Sequence, residues 1–153
     1  MTFPPDDLAG ESATTAKIRA ALLAILLLGM VGILVELFLM EHTDGLWQIV
    51  PIALLVCGIC AAGAHAVTRT HRNAIRVLQG VMVVFVVSGF AGMILHYSGN
   101  VEFEREMNPE TGGLGLIKEA LMGATPALAP GTMIQLGLLG LASTYRHPAT
   151  GRR

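Results

Sequence analysis

Residues 17–40 read KIRAALLAILLLGMVGILVELFLM. From Ala20 to Val35 this stretch carries no charged side chain and shows no two-residue alternation. Its length matches the roughly 20 residues that an α-helix needs to cross a bilayer core of about 30 Å. In hydrocarbon every backbone N–H and C=O must be bonded within its own segment or in a closed barrel. A continuous Leu/Ile/Ala run without alternation decides for the helix. Three further runs, 46–67, 77–97 and 127–145, have the same character.

The composition of the 153 residues follows from these runs. The hydrophobic fraction is 53%, the charged fraction 14% and the mean hydropathy +0.62. Soluble domains carry roughly 25% charged residues, so water alone is the wrong solvent for this chain. Asp6, Asp7 and Glu11 precede the first run and no small-residue cleavage site follows it. That run is therefore expected to stay as an anchor rather than to be removed as a signal peptide. A net charge of −1 argues against a nucleic-acid partner.

The distribution of charge sets the expected orientation. Lys17, Arg19, Arg69, Arg72, Arg76, Arg146, Arg152 and Arg153 fall at one set of run ends, and only Arg105 and Lys118 at the other. Short loops rich in Lys and Arg stay in the cytoplasm. Both termini and the 68–76 connection are therefore expected inside, at the cell membrane. The loops 41–45 and 98–113 are expected outside, with Glu41, Asp44, Glu102, Glu104, Glu106 and Glu110. The domain plan is a disordered cytoplasmic tail over 1–14, a four-span domain over 15–147 and a second tail over 148–153.

Within the outer loop 98–125, Val101-Glu102-Phe103-Glu104-Arg105-Glu106-Met107 alternates in twos and reads as an extended segment. Residues 114–123 place Leu114, Ile117 and Leu121 on one side and read as a short interfacial helix. The fold expected is all-α: an integral membrane antiparallel four-helix bundle with a short extracytoplasmic cap.

Helices in lipid associate by close packing at small residues. Gly29, Gly32 and Glu36 stand at i, i+3 and i+7; Gly58, Ala61 and His65 repeat that spacing, as do Gly89, Gly92 and His96. Residues so spaced share a helix face. The spacing predicts that all three ionisable side chains point inward, and span four offers Gly131, Gln135 and Ala142 for its own face. A carboxylate within a span costs a few kcal/mol unless paired or protonated, on the order of insertion-scale values.

Glu36, His96, His42 and Glu41 thus form the candidate metal set, since imidazole and carboxylate ligate divalent transition metals. Their spacing contains no Glu-x-x-His, and the preferred reading is a structural Glu36–His96 pair with no cofactor. His65 reads as a bonded or snorkelling histidine. Haem is disfavoured because His65 and His96, each near the end of one of two antiparallel runs, are expected at opposite membrane sides. Cys57 and Cys60 spell Cys-x-x-Cys in mid-run and read as two small core residues rather than a redox pair. Glu102, Glu104 and Glu106 read as a solvated face.

No phosphate loop, nucleophile–base arrangement or nucleotide fingerprint is present. The function expected is that of a non-catalytic accessory or structural subunit, in a homo-oligomer or a larger membrane complex within the lipid bilayer. The alternative is a small transporter or metal-binding redox protein using the outer Glu/His set.

Overall fold

A computed structural model of the chain describes residues 12–68, 70–123 and 125–151. Its described residues form five α-helices and a short 3-10 turn. Helix α1 spans Ala13–Leu39, α2 Leu46–Thr68, α3 Arg72–Met107, α4 Gly113–Met122 and α5 Gly131–Ser143. Helices α1, α2 and α3 are long and apolar enough to cross a membrane. Helix α5 is apolar but has only 13 residues, about 20 Å at 1.5 Å per residue.

The ends of the helices follow local chemistry. Ser12 caps α1 by accepting the Thr15 N–H at 3.2 Å. Residue 12 therefore already belongs to the α1 cap; of the predicted tail 1–14, residues 1–11 lie outside the described residues. After α1 the chain turns at Glu41, which has a left-handed backbone (φ 51). Gly45 accepts the Gln48 and Ile49 N–H groups, and the Gln48 side chain accepts the Asp44 N–H at 2.8 Å. The Gln48 side chain thereby closes the turn onto the first residues of α2.

The extended segment predicted for 101–107 is instead helical. Helix α3 runs unbroken through Met107, 36 residues or about 54 Å. Glu, Arg and Met are good helix formers, so intrinsic propensity outweighs a period of two that rests on few apolar residues. Asn108 closes the helix by donating its N–H to the Glu104 carbonyl and its side-chain amide to the Glu104 carboxylate. The short helix expected over 114–123 is present as α4.

The chain divides into two compact units, Met1–Met82 with Leu139–Arg153, and Val83–Leu138. In the first, Leu26, Met30, Leu55, Ile75, Leu78 and Met82 are buried around Gly58, Ala61, Ala62 and Gly140. A Cβ added at Gly140 would strike the Met82 side chain and stand 3.2 Å from Leu26 Cδ2. In the second, Phe85, Gly89, Asn100, Ala120, Ala127, Met133 and Leu136 are buried. Along α3 the buried positions 75, 78, 82, 85 and 89 alternate steps of three and four, the spacing of a helix seam.

Two of the three predicted small-residue faces are packed. Gly58, Ala61 and His65 are all buried. A Cβ at Gly89 would lie 2.5 Å from Ile134 Cγ1 and 2.9 Å from the Ile134 nitrogen and the Pro130 oxygen, and one at Gly92 would lie 2.8 Å from Pro130 Cβ. The third face departs from expectation. Gly32 has nothing within 4 Å of an added Cβ, and Glu36 is exposed. In α5 the buried face is Met133, Leu136, Gly137, Gly140 and Ser143, while Gln135 and Ala142 are exposed. Bulkier Met and Leu fill the seam there, leaving the predicted polar and small positions outside. Cys57 and Cys60 are exposed free thiols rather than core residues.

Candidate functional site at the converging helix ends

The predicted outer residues are placed as follows. Glu36 is exposed on α1; its carbonyl accepts the Met40 N–H, and its carboxylate makes no hydrogen bond or ion pair among the described residues. Glu41 is exposed in the turn, and half-buried His42 donates its backbone N–H to the Leu37 carbonyl. These three belong to the first unit and His96 to the second. His96 lies on α3, and its Nδ1 stands 3.3 Å from the Pro126 carbonyl oxygen. Among the described residues no three His, Cys, Asp or Glu side chains are grouped to hold a metal ion.

The polar side chains that the fold does gather lie at the opposite ends of the helices of the first unit. Helix α5 ends at Ser143, and its last carbonyls have no partner within the helix. Arg19 of α1 reaches across, donating Nη1 to the Ser143 carbonyl at 3.0 Å and Nη2 to the Tyr145 carbonyl at 2.6 Å. Gln79 of α3 donates Nε2 to the Thr144 carbonyl at 3.4 Å and to its hydroxyl at 3.3 Å. The Ser143 and Thr144 hydroxyls donate back to the Gly140 carbonyl. A guanidinium at a helix C-terminus also meets the negative end of the helix dipole. One cation and one amide thus tie α1 and α3 to the end of α5.

No family model, curated protein or solved structure matches this chain. The chemistry of the site therefore rests on its own residues.

Beneath this cap lie two imidazoles. His65, near the end of α2, is 7% exposed, and its ring meets that of His147 edge to face at 5.7 Å between centroids. Its Nδ1 is buried without a hydrogen-bond partner among the described residues. His147 accepts the Ala149 N–H on Nδ1 at 3.2 Å, which opens the 3-10 turn Pro148–Thr150. A neutral imidazole that accepts on Nδ1 carries its proton on Nε2. The contacts of the pair are an edge-to-face packing of the two rings and the turn that His147 opens.

In the second unit Asn100 is the hub. It is 3% exposed and donates Nδ2 to the Ala120 carbonyl at 2.8 Å and to the Thr125 carbonyl at 2.7 Å. Its Oδ1 accepts the Thr125 hydroxyl at 2.5 Å and the Thr125 N–H at 3.3 Å. All four bonds available to a side-chain amide are made. Gly123 lets the chain pass, since a Cβ there would lie 2.7 Å from Asn100 Cγ.

Sequence reasoning missed Arg19, Gln79 and Asn100. Asn100 fell inside a segment read as loop, although an amide that continues the packed α3 face beyond His96 was the available signal. Arg19 was counted only as a topological charge.

Proposed function

We propose that this chain is a small, non-catalytic multi-pass membrane protein that acts as a subunit, in an assembly of its own copies or in a larger membrane complex. Glu36 carries the reading. It projects from the most exposed apolar helix, of whose most hydrophobic window only 11% is buried. Gly32, one turn away on the same side, leaves room for a second backbone. A carboxylate facing acyl chains is costly, so a protein partner on this face stabilises it.

Four spans with both termini cytoplasmic complete the proposal. Helix α5 is short, but i to i+3 bonds continue it at both ends. The Ala129 and Gly131 N–H groups bond to Pro126 and Leu128, and those of Thr144 and Tyr145 to Leu141 and Ala142. Were 126–145 wound as one helix in a bilayer, its 20 residues would reach about 30 Å, the thickness of the bilayer core.

Light scattering of the full chain in a mild detergent tests the reading. The mass of the wild type should exceed the 16.1 kDa of one chain. The substitution Gly32→Leu should return it to one chain while leaving helicity unchanged, because the side chain enters open space. A single-chain mass for the wild type, with no co-purifying polypeptide, defeats the proposal.

A further inference from the structure

The ends of the helices that Arg19, Gln79 and His65 bring together also gather cations. Arg72, Arg76 and Gln79 stand at i, i+4 and i+7 on α3, so they share one face. Gln79 on that face is bonded to Thr144. The two arginines therefore stand on the side of α3 that carries the bond to Thr144. In that turn Arg146 has a left-handed backbone (φ 49), and its guanidinium lies 5.9 Å from the centre of the Tyr145 ring. Arg72, Arg76, Tyr145 and Arg146 are all exposed.

None of the three arginines makes an ion pair among the described residues. No Asp or Glu occurs in 12–20, 64–68, 70–79 or 141–151. Arg105 and Lys118 differ in having acidic neighbours in the sequence, Glu104 and Glu106 beside Arg105 and Glu119 after Lys118.

We infer that Arg72, Arg76 and Arg146 form a binding surface for the headgroup of an anionic phospholipid, with the exposed Tyr145 ring seated at the level of the glycerol backbone. Two features select this occupant. The charge is of one sign and uncompensated among the described residues, which is what a phosphate headgroup complements. The surface also sits at the ends of apolar helices, where headgroups are found and where an amphipathic ring is favoured. Arginine presents a planar fork that bonds a phosphate through two N–H groups at once. The inference needs the chain to lie in a bilayer, but not that it self-associates.

Native mass spectrometry of the detergent-solubilised full chain, with added phosphatidylglycerol or phosphatidylcholine of identical acyl chains, tests it. Phosphatidylglycerol should remain bound at collision energies that strip phosphatidylcholine. Neutralising one arginine should weaken its binding about fivefold, and the triple variant Arg72→Gln, Arg76→Gln, Arg146→Gln on the order of a hundredfold. The control pair Arg105→Gln, Lys118→Gln should leave it unchanged. If the triple variant loses helicity by circular dichroism, the single variant Arg146→Gln is read instead, since its side chain is exposed.

Equal retention of the two lipids overturns the inference, as does wild-type retention in the variants. So does displacement by millimolar inorganic phosphate, which would make the ligand a free anion. The same spectra report oligomeric mass separately. A monomer that still retains phosphatidylglycerol counts against the subunit reading and for the lipid surface.

Discussion

Asn100 shows how much one side chain can hold. Its amide makes four hydrogen bonds to residues 20 to 25 positions away in sequence, at a site with almost no exposure. Removing one partner of a buried hydrogen bond leaves the other unsatisfied, at about 1–3 kcal/mol per group. Asn100→Ala should therefore lower stability by about 3 kcal/mol or more. It should also raise amide exchange selectively over α4, which hydrogen-exchange mass spectrometry can localise. A loss spread evenly over all helices would show that Asn100 does not hold α4.

Arg19 belongs to the same scale. Its fork serves two carbonyls more than 120 positions away. A lysine places one ammonium point charge and cannot span both in the same planar geometry. Arg19→Lys should recover only part of the stability that Arg19→Ala loses, read as unfolding midpoints in detergent. Full recovery would mean that charge at the helix end, not the fork, is what matters. The outward-facing Glu36 is a residue whose position in sequence was legible and whose direction was not.

At the scale of the element, glycines on one helix have opposite meanings. In α3 a Cβ at Gly80 would meet nothing within 4 Å, whereas at Gly89 it would press on backbone atoms of Ile134 and Pro130. Backbone cannot step aside as a flexible side chain can. Gly80→Ala should be neutral or stabilising by up to about 1 kcal/mol, because alanine loses less entropy on forming helix. Gly89→Ala should cost about 1–3 kcal/mol, as overpacking does. Thermal unfolding of the two variants side by side checks the contrast, and equal midpoints would contradict the close approach.

Residues 101–107 are helical although they alternate in twos. A period of two argues for a strand only where one face is buried, and here most of the segment is exposed. With little burial to reward extended pairing, helix propensity and continuity with the preceding span decide. Amides of 101–107 should be protected from exchange to a degree that falls gradually toward Met107. Unprotected amides from Val101 onward would restore the extended reading.

For the whole molecule, the number of spans is the quantity to test. Replacing Cys57 and Cys60 with alanine removes the native thiols, which are exposed and make no disulfide. Single cysteines at Ser12, Thr111 and Thr150 then report sidedness to an impermeant maleimide. Four spans place Ser12 and Thr150 together on the cytoplasmic side and Thr111 outside. Three spans would put Thr150 with Thr111, and the positive-inside assignment would fail for the C-terminus.

The apolar helical runs and their suitability for lipid could be read from the chain alone, because they depend on local properties, whereas the limits of α3 and α5 could not. A backbone without water must bond to itself within the segment, and a long apolar run has few other ways to do so. The faces those helices present to one another could not be read in the same way. Spans rich in glycine and alanine carry several equally small stripes, so only packing selects among them. It buried the stripe at Gly58 and Ala61, closed the one at Gly89 and Gly92 onto Pro130 and Ile134, and left Gly32 and Glu36 facing outward. The tie from Arg19 to the end of α5 was equally invisible beforehand, since its partners are backbone carbonyls, which carry no mark in the sequence and become orphans only where a helix stops.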